Sequence, residues 1–560
     1  MIGRRGAGAA ARALRLAHVP LPFLNPLPTA TFLAPKASYG HRFFTQKWPQ
    51  SSNSFSTSAF PTSGDTIYAL STAQGRAGIA VVRISGPSCI DPRFATVRSL
   101  YEPTTNTPNA TVLDSEALVL YFPAPATVTG EDVLELHIHG GPATVKAVLS
   151  AIGRCPSPQR IRYAEPGEFT KRAFINDRLD LAQVESLSDT LAAETEQQRR
   201  AAVRGNSGAL GKTYDAWREQ LLLARGELEA LIDFSEDQHF DESSTDLLRN
   251  VTRQVKEMMH SILLHEQGSQ RNELLRNGIK IALVGPPNVG KSSLMNLIVG
   301  REASIVSGEA GTTRDIVEAS LDIRGYLCSF ADTAGFRSQT AAGNGSGVRS
   351  DPIGAVELEG IRRAKQKAQD ADIVGVIASV ETGPDGPFIQ FDEETLNLAS
   401  AADASHVIVN KRDAVDEATF EQLLATFKAT LSKRNDKLAT ATIQTVSCKE
   451  AQTAITGNTD PGGVHKVIDA LASCFSDMTS MPSELQDLLG VTERQRQLLV
   501  ECRQHLDEFL FEAQREDEGM EADSVLAAEF LRYAADCLAR ITGKGEAGDV
   551  EDVLGVVFEK

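Results

Sequence analysis

The feature that most constrains this 560-residue chain is Gly285-Pro286-Pro287-Asn288-Val289-Gly290-Lys291-Ser292, which fits the spacing G-x-x-x-x-G-K-S/T. It follows the apolar run Ile279 to Val284 and precedes a helix expected to begin near Lys291, the strand–turn–helix context that such a loop requires. Successive backbone N–H groups and a helix N-terminus then form a pocket for anionic phosphates, which a side chain at Gly285 or Gly290 would obstruct. Lys291 supplies a point charge for β and γ phosphates, the Ser292 hydroxyl supplies an oxygen ligand for Mg²⁺, and Ser293 is counted among the GTP-binding positions.

The unit around this loop, about residues 278 to 481, alternates apolar strands with helical stretches. The strands expected are Ile279 to Val284, Tyr326 to Phe330, Ile373 to Val380, His406 to Val409 and Thr442 to Val446. Such alternation predicts a doubly wound α/β sheet. Asp332-Thr333-Ala334-Gly335 follows the second of these strands, where Asp332 can orient the Mg²⁺ shell and the Gly335 N–H can sense a γ phosphate. Between the two motifs lies Gly311-Thr312-Thr313-Arg314-Asp315, and Thr313 is the candidate hydroxyl ligand of a closing switch loop. Asn410-Lys411-Arg412-Asp413 and Ser447-Cys448-Lys449 follow the last two strands. A carboxylate at Asp413 accepts two N–H donors from guanine, which adenine does not present in that arrangement.

Residues 65 to 180 read as an α+β domain. Short β-rich runs (Thr66 to Leu70, Ile79 to Ile84, Ala117 to Phe122, Val133 to Ile138) alternate with Gly and Pro turns, and a helical run follows His139-Gly-Gly-Pro142. Residues 181 to 277 turn helical, for example Tyr214 to Ile232 and Leu247 to Leu264, and the same texture returns over 482 to 560. Two helical blocks flanking an α/β unit predict that this unit is inserted into one helical domain.

Residues 1 to 64 contain no Asp or Glu, while four arginines precede position 16 and Lys36, Arg42 and Lys47 bring the segment to +7. An acid-free, Ser-rich, Arg-containing start predicts a mitochondrial or plastid transit peptide; a disordered tail is the alternative. The whole chain carries −18, so the remainder is left at −25, which argues against non-specific nucleic-acid binding by net charge. Lys171, Arg172, Arg199, Arg200 and Arg204 offer either a local basic patch or a solvated helix face. The seven cysteines are scattered without a CxxC pair, as expected of reduced and mostly buried thiols, and no apolar run is long enough to predict a membrane span.

These motifs, together with Val82-Arg-Ile-Ser-Gly86, Thr129-Gly-Glu-Asp-Val-Leu-Glu135, His139-Gly-Gly-Pro142, Pro166-Gly-Glu-Phe169, Asn176-Asp-Arg178 and Leu179-Asp-Leu-Ala-Gln183, resemble the MnmE (TrmE) family of tRNA-modification GTPases in its mitochondrial form, from about Asp65 to Val557. The resemblance implies a multidomain architecture. An N-terminal domain binds a 5-formyltetrahydrofolate-type donor and forms a homodimer, a discontinuous all-α domain follows, and an α/β P-loop GTPase domain is inserted into it. It also implies K⁺ activation, with Asn288, Ser307, Glu309 and Thr312 at the ion, a Mg²⁺ held through Ser292 and Thr313, and a water-orienting glutamate matched to Glu357, with Glu359 as the alternative. The folate positions match Arg83, Glu135 and Arg178. A FAD-dependent partner of the MnmG type, GTP and mitochondrial tRNA complete the expected assembly, in the matrix and without a membrane span. One departure is that family members end in a Phe-Cys-Ile-Gly-Lys-like tail, whereas this sequence stops at Val556-Val-Phe-Glu-Lys560. Two other functions share parts of these motifs: a GTP-switched ribosome assembly factor, and a one-carbon transferase with a regulatory GTPase.

Overall fold

Strand alternation sets the first sheet, formed by β1 (Thr66–Leu70), β2 (Ile79–Ser85), β3 (Thr96–Tyr101), β4 (Val112–Phe122), β5 (Val133–His139) and β6 (Ile161–Tyr163). The computed structural model describes residues 64–87, 95–103, 111–234, 244–301, 304–305, 320–331, 366, 368–384, 386–402, 404–434, 443–453, 460, 462–517 and 523–545. The strand order is β3-β4-β5-β2-β1-β6, antiparallel except for the parallel β1–β6 pair. Ala80, Val82 and Ile84 of β2 and Leu136 and Ile138 of β5 pack with Val148 and Ile152 of helix α1 (Pro142–Ile152). The period of two therefore sends Arg83 and Glu135 to the opposite face. Helix α2 (Glu168–Ile175) is fastened by ion pairs: Arg162 donates to both oxygens of Glu168 at 2.8 and 2.6 Å, and Arg172 pairs with Glu131 and Glu168.

Helices α3 (Leu181–Ala192), α4 (Glu196–Gly205), α5 (Ala209–Phe234) and α6 (Ser244–Asn277) follow. The starts of α3 and α4 are fixed by reciprocal capping boxes, Asp180 with Gln183 and Thr195 with Gln198.

The second sheet contains β7 (Ile279–Val284), β8 (Ser304–Ile305), β9 (Ser320–Ile323), β10 (Tyr326–Phe330), β11 (Ile373–Gly383), β12 (Gly386–Gln390), β13 (Ala404–Asn410) and β14 (Ile443–Thr445). Its order is β14-β13-β11-β7-β10-β9-β8, with β12 on the edge of β11's extension. The five strands from β14 to β10 run parallel, and β8, β9 and β12 are antiparallel additions. Helices α7 (Lys291–Arg301) and α11 (Val464–Thr479) cover one face through Leu294, Ile298, Ile468 and Phe475. Helices α8 (Glu393–Ala401) and α9 (Glu417–Arg434) cover the other through Leu396, Phe420 and Phe427, while α10 (Cys448–Thr453) starts just beyond β14. Covered on both faces, β11 buries all eight residues from Ile373 to Val380, as its unbroken apolar run requires.

Helices α12 (Glu493–Asp517) and α13 (Ser524–Thr542) pack with α5 and α6 around one core that includes Tyr214, Leu228, Val251, Ile262, Leu499, Phe509, Leu531 and Leu538. Residues from before and after the second sheet therefore bury a common apolar interior. Glu185 of α3 joins the two stretches: it accepts from Thr492 at 2.9 Å, from Gln495 at 2.7 Å and from Arg494.

Among the described residues, no helix is long and apolar enough to cross a membrane. The expected transit segment lies outside the described residues apart from its last position. Cys155 is exposed, whereas Cys328, Cys448, Cys502 and Cys537 are buried, and none of these is in a disulfide.

Candidate functional site

The chain order turns back at β7, with β10 on one side and β11 on the other, and ligands in open α/β sheets bind at the carboxyl edge of such a switch point. The turn after β7 is shaped by its glycines. Gly285 has φ of +154°, and a Cβ there would lie 2.2 Å from the Ile377 carbonyl oxygen of β11; Gly290 has φ of +100°, and its Cβ would lie 2.2 Å from Asn410 Nδ2. Asn288 adopts the left-handed conformation at φ 65° and is exposed, while Val289 is fully buried and anchors the loop from beneath. Ser292 and Ser293 occupy the first turn of α7. Lys291 Nζ donates to the Gly285 and Pro286 carbonyl oxygens at 2.7 and 2.8 Å, so the ammonium is held within the loop, and burial lowers its pKa from the usual lysine value.

Two further loops converge on this one. Asn410, at the end of β13, donates to the Val289 carbonyl at 2.8 Å and accepts from the Cys448 backbone N–H at 3.2 Å. Ser447 Oγ donates to Asp413 Oδ1 at 2.6 Å and itself accepts from the Glu450 N–H, which orients the carboxylate that the sequence assigns to the guanine edge. Lys449 is exposed, 4.0 Å from Asp413. Cys448 takes part through its backbone; its thiol is pushed up to about 11 by burial and is no nucleophile at neutral pH. Lys411 has φ of 61°, and its ammonium meets Glu381 at 2.5 Å. Glu381 belongs to no motif and is missed by motif reading; its only signal in the sequence is a carboxylate at the carboxyl end of an apolar strand.

The strand β10 runs parallel to β7 and ends at Phe330, so the chain leaves the sheet at the carboxyl edge that holds the phosphate loop. The residues expected next, Asp332, Thr333, Ala334 and Gly335, lie outside the described residues, as do Ser307, Glu309, Thr312, Thr313, Glu357, Glu359 and the Gly/Ser/Asn-rich 341–350. Among the described residues there is no group of three or more His, Cys, Asp or Glu placed to hold a metal.

On the first sheet, Arg83 and Glu135 are register partners across β2 and β5, and the guanidinium reaches the carboxylate at 2.8 and 2.9 Å. His137 Nε2 lies 3.4 Å from the other oxygen of Glu135 and has no hydrogen-bond partner among the described residues. Arg178 stands elsewhere: its Nε donates to the Thr127 carbonyl at 2.9 Å, and it lines a cavity of about 490 Å³ with Pro125, Gly130 and Asn176. Neither Arg83 nor Glu135 lines that cavity. The four arginines of the suspected basic patch have partners. Arg172 is buried against Glu131 and Glu168, Arg199 and Arg200 share Glu196, and Arg204 donates to Gln486.

A phosphate loop locked to a guanine-reading loop at the switch point of a doubly wound sheet defines a P-loop guanine nucleotide-binding protein. Comparison with known proteins narrows the class. Residues 66–178 match the model of the GTP-binding protein TrmE N-terminus, and residues 181–560 match the MnmE helical domain. The tRNA modification GTPase MnmE of Parvibaculum lavamentivorans is 38% identical over 88% of this chain and 98% of its own. The mitochondrial tRNA modification GTPase mss1 of Schizosaccharomyces pombe is 36% identical over 88% and 94%. The mitochondrial 5-taurinomethyluridine-tRNA synthase subunit GTPB3 of Homo sapiens is 35% identical over 89% and 93%. The chain belongs to the MnmE family and is a GTP hydrolase.

Proposed function

We propose that this protein hydrolyses GTP to drive modification of mitochondrial tRNA at carbon 5 of the wobble uridine, with a one-carbon folate donor and a FAD-dependent partner of the MnmG type. The observation that carries the reading is the extent of the likeness. Relatives named as tRNA modification GTPases match the first sheet and the helical core as well as the nucleotide site, over 88% of this chain. A nucleotide switch on another machine would share only the second sheet. The mitochondrial relatives and the acid-free N-terminal segment support action in the mitochondrion, and we place it in the matrix.

The division of labour follows from the residues. Residues 65–180 form the folate-binding and dimerising domain. Residues 181–277 and 482–560 form one helical domain, and 278–481 form the GTPase domain inserted in it. Lys291 and the N–H groups around Gly290 hold the phosphates, and Asp413 reads guanine. The Ser292 hydroxyl fits a Mg²⁺ ligand, sitting at the first turn of α7 beside Lys291, and Thr313 would complete the protein's share. Exposed Asn288 at the loop mouth fits K⁺, with Ser307, Glu309 and Thr312. These cations neutralise charge on the phosphates when bound. Glu357 would orient the attacking water. The Arg83–Glu135 pair offers a carboxylate for the N–H edge of a pterin and a guanidinium for a carboxylate or carbonyl, while the Arg178 cavity suits an anionic tail.

The test is mass spectrometry of mitochondrial tRNA from cells lacking this protein. Loss of the 5-substituted wobble uridine is expected; unchanged uridines would overturn the reading. Replacing K⁺ by Na⁺ in a GTP turnover assay tests the ion separately, and equal rates would remove it.

A further inference from the structure

We propose that Glu381 is a positioning residue of the guanine site, holding Lys411 so that the lysine's hydrocarbon stem walls one face of the base. The proposal rests on the placement of Lys411 in the nucleotide site and on what surrounds both residues.

Strands β11 and β13 are parallel neighbours, with Ser379 opposite Asn410. Two residues on, β11 continues past the end of β13, and Glu381 stands on the same face as Ser379. Ser379 is fully buried and donates its hydroxyl hydrogen to Glu381 Oε1 at 2.7 Å. Lys411 Nζ donates to that same oxygen. The carboxylate is therefore oriented from behind by a buried hydroxyl and occupied in front by an ammonium. The Lys411 ammonium, aided by Ser379, holds the Glu381 carboxyl below the usual range against the opposing effect of burial.

Lys411 is fixed at its other end as well. It follows Asn410, whose amide is locked between the Val289 carbonyl and the Cys448 N–H, and its own left-handed backbone turns the chain toward Asp413. The four-carbon stem thus spans two fixed points, between the residue that grips the phosphate loop and the residue that reads the guanine edge. Lysine stems cover apolar surface while their charge stays solvated, and a purine face is such a surface. With Lys411 and Glu381 side chains 35% and 32% exposed, the pair contributes little to folding stability. Its effect belongs to binding: a stem ordered beforehand loses less freedom when the nucleotide enters.

The experiment measures GTP turnover by the full chain, release of fluorescent GDP, and thermal unfolding. Glu381→Gln is expected to raise KM and the release rate about threefold, and Glu381→Ala about tenfold, with kcat at saturating GTP unchanged. Ser379→Ala, which frees the carboxylate to turn, should move both in the same direction by less. The melting temperature should stay at the wild-type value. The ratio of kcat/KM for GTP to that for ITP should also hold, because a ring face is common to both bases whereas the edge read by Asp413 is not. Unchanged KM and release in Glu381→Ala would overturn the proposal, as would a GTP/ITP ratio that shifts with the substitution. A fall in melting temperature that tracks the change in KM would overturn it too, assigning Glu381 to the fold instead.

Discussion

Asn410 Nδ2 reaches the carbonyl oxygen of Val289 at 2.8 Å inside the protein, while Asn410 Oδ1 receives the Cys448 N–H at 3.2 Å. One amide thus satisfies a backbone group of each of two other loops, and its own loop becomes the third. Asn410→Ala leaves a buried carbonyl and a buried N–H without partners, at about 1–3 kcal/mol each. We expect a lower melting temperature and at least about tenfold weaker binding of GDP, read by thermal unfolding and fluorescence titration. Asn410→Asp should damage the phosphate loop further, because a carboxylate would face the Val289 carbonyl where a donor is required. Wild-type affinity in either variant would contradict the coupling.

Asp413, oriented by the Ser447 hydroxyl at 2.6 Å, is placed to select the base by accepting hydrogen bonds. An asparagine there presents an N–H toward the base in place of an acceptor, which suits the carbonyl at C2 of xanthine. Asp413→Asn should lower kcat/KM for GTP by about 10²-fold or more and raise that for XTP. Turnover with the two nucleotides decides it, and an unaltered GTP/XTP ratio would place base selection elsewhere.

The legible parts of this chain are those where local pattern and tertiary role agree. Ile279–Val284 and Tyr326–Phe330 were readable to the residue because each is a short, mainly apolar run bounded by turns, broken only by exposed Lys280 in the first and half-buried Ser329 in the second. The run at Ala117 had a readable end but not its beginning: β4 starts at Val112, where Asp114 and Glu116 hide the strand, and Asp114 is there to bind the His139 N–H and ring at 2.8 and 2.9 Å. Strand β3 was invisible because it is largely exposed and lacks apolar alternation. In the site, Lys291, Asn410 and Asp413 were legible because their spacing from strand ends is fixed by phosphate and base geometry. Glu381 was not, since its partner Lys411 is 30 residues away and only the β11–β13 register brings them together.

Glu185 is the charge on which the two helical stretches meet, and it is almost fully enclosed. Thr492, Arg494 and Gln495 all donate to it, and Arg494 also caps the carbonyls of Arg540 and Ile541 at 3.1 Å. Removing one member of a buried charged cluster leaves the others unpaired, at about 3–5 kcal/mol. Glu185→Ala is therefore expected to lower the urea midpoint strongly, and Glu185→Gln, which keeps one acceptor oxygen without the charge, to lower it less. Native-like stability in Glu185→Ala would show that apolar packing alone joins the stretches.

His265 sets a pH limit on the same helical core. Its ring is buried beside Trp217, with centroids 4.9 Å apart, and its Nδ1 lies 3.0 Å from the Tyr214 hydroxyl. Burial pushes its pKa down to about 4, whereas the unfolded chain titrates near the ordinary 6.5. Between those values the unfolded state takes up a proton that the native state refuses, so native stability falls as pH drops from about 6.5 toward about 4 and is insensitive to this group above about 7. The full difference corresponds to about 3 kcal/mol. Urea unfolding at pH 7.5, 6 and 5 should show the wild type losing stability faster than His265→Gln, whose amide retains a partner for Tyr214 but does not titrate. Parallel curves for the two proteins would mean that His265 is protonated in the folded state after all, and that the acid sensitivity comes from carboxylates elsewhere.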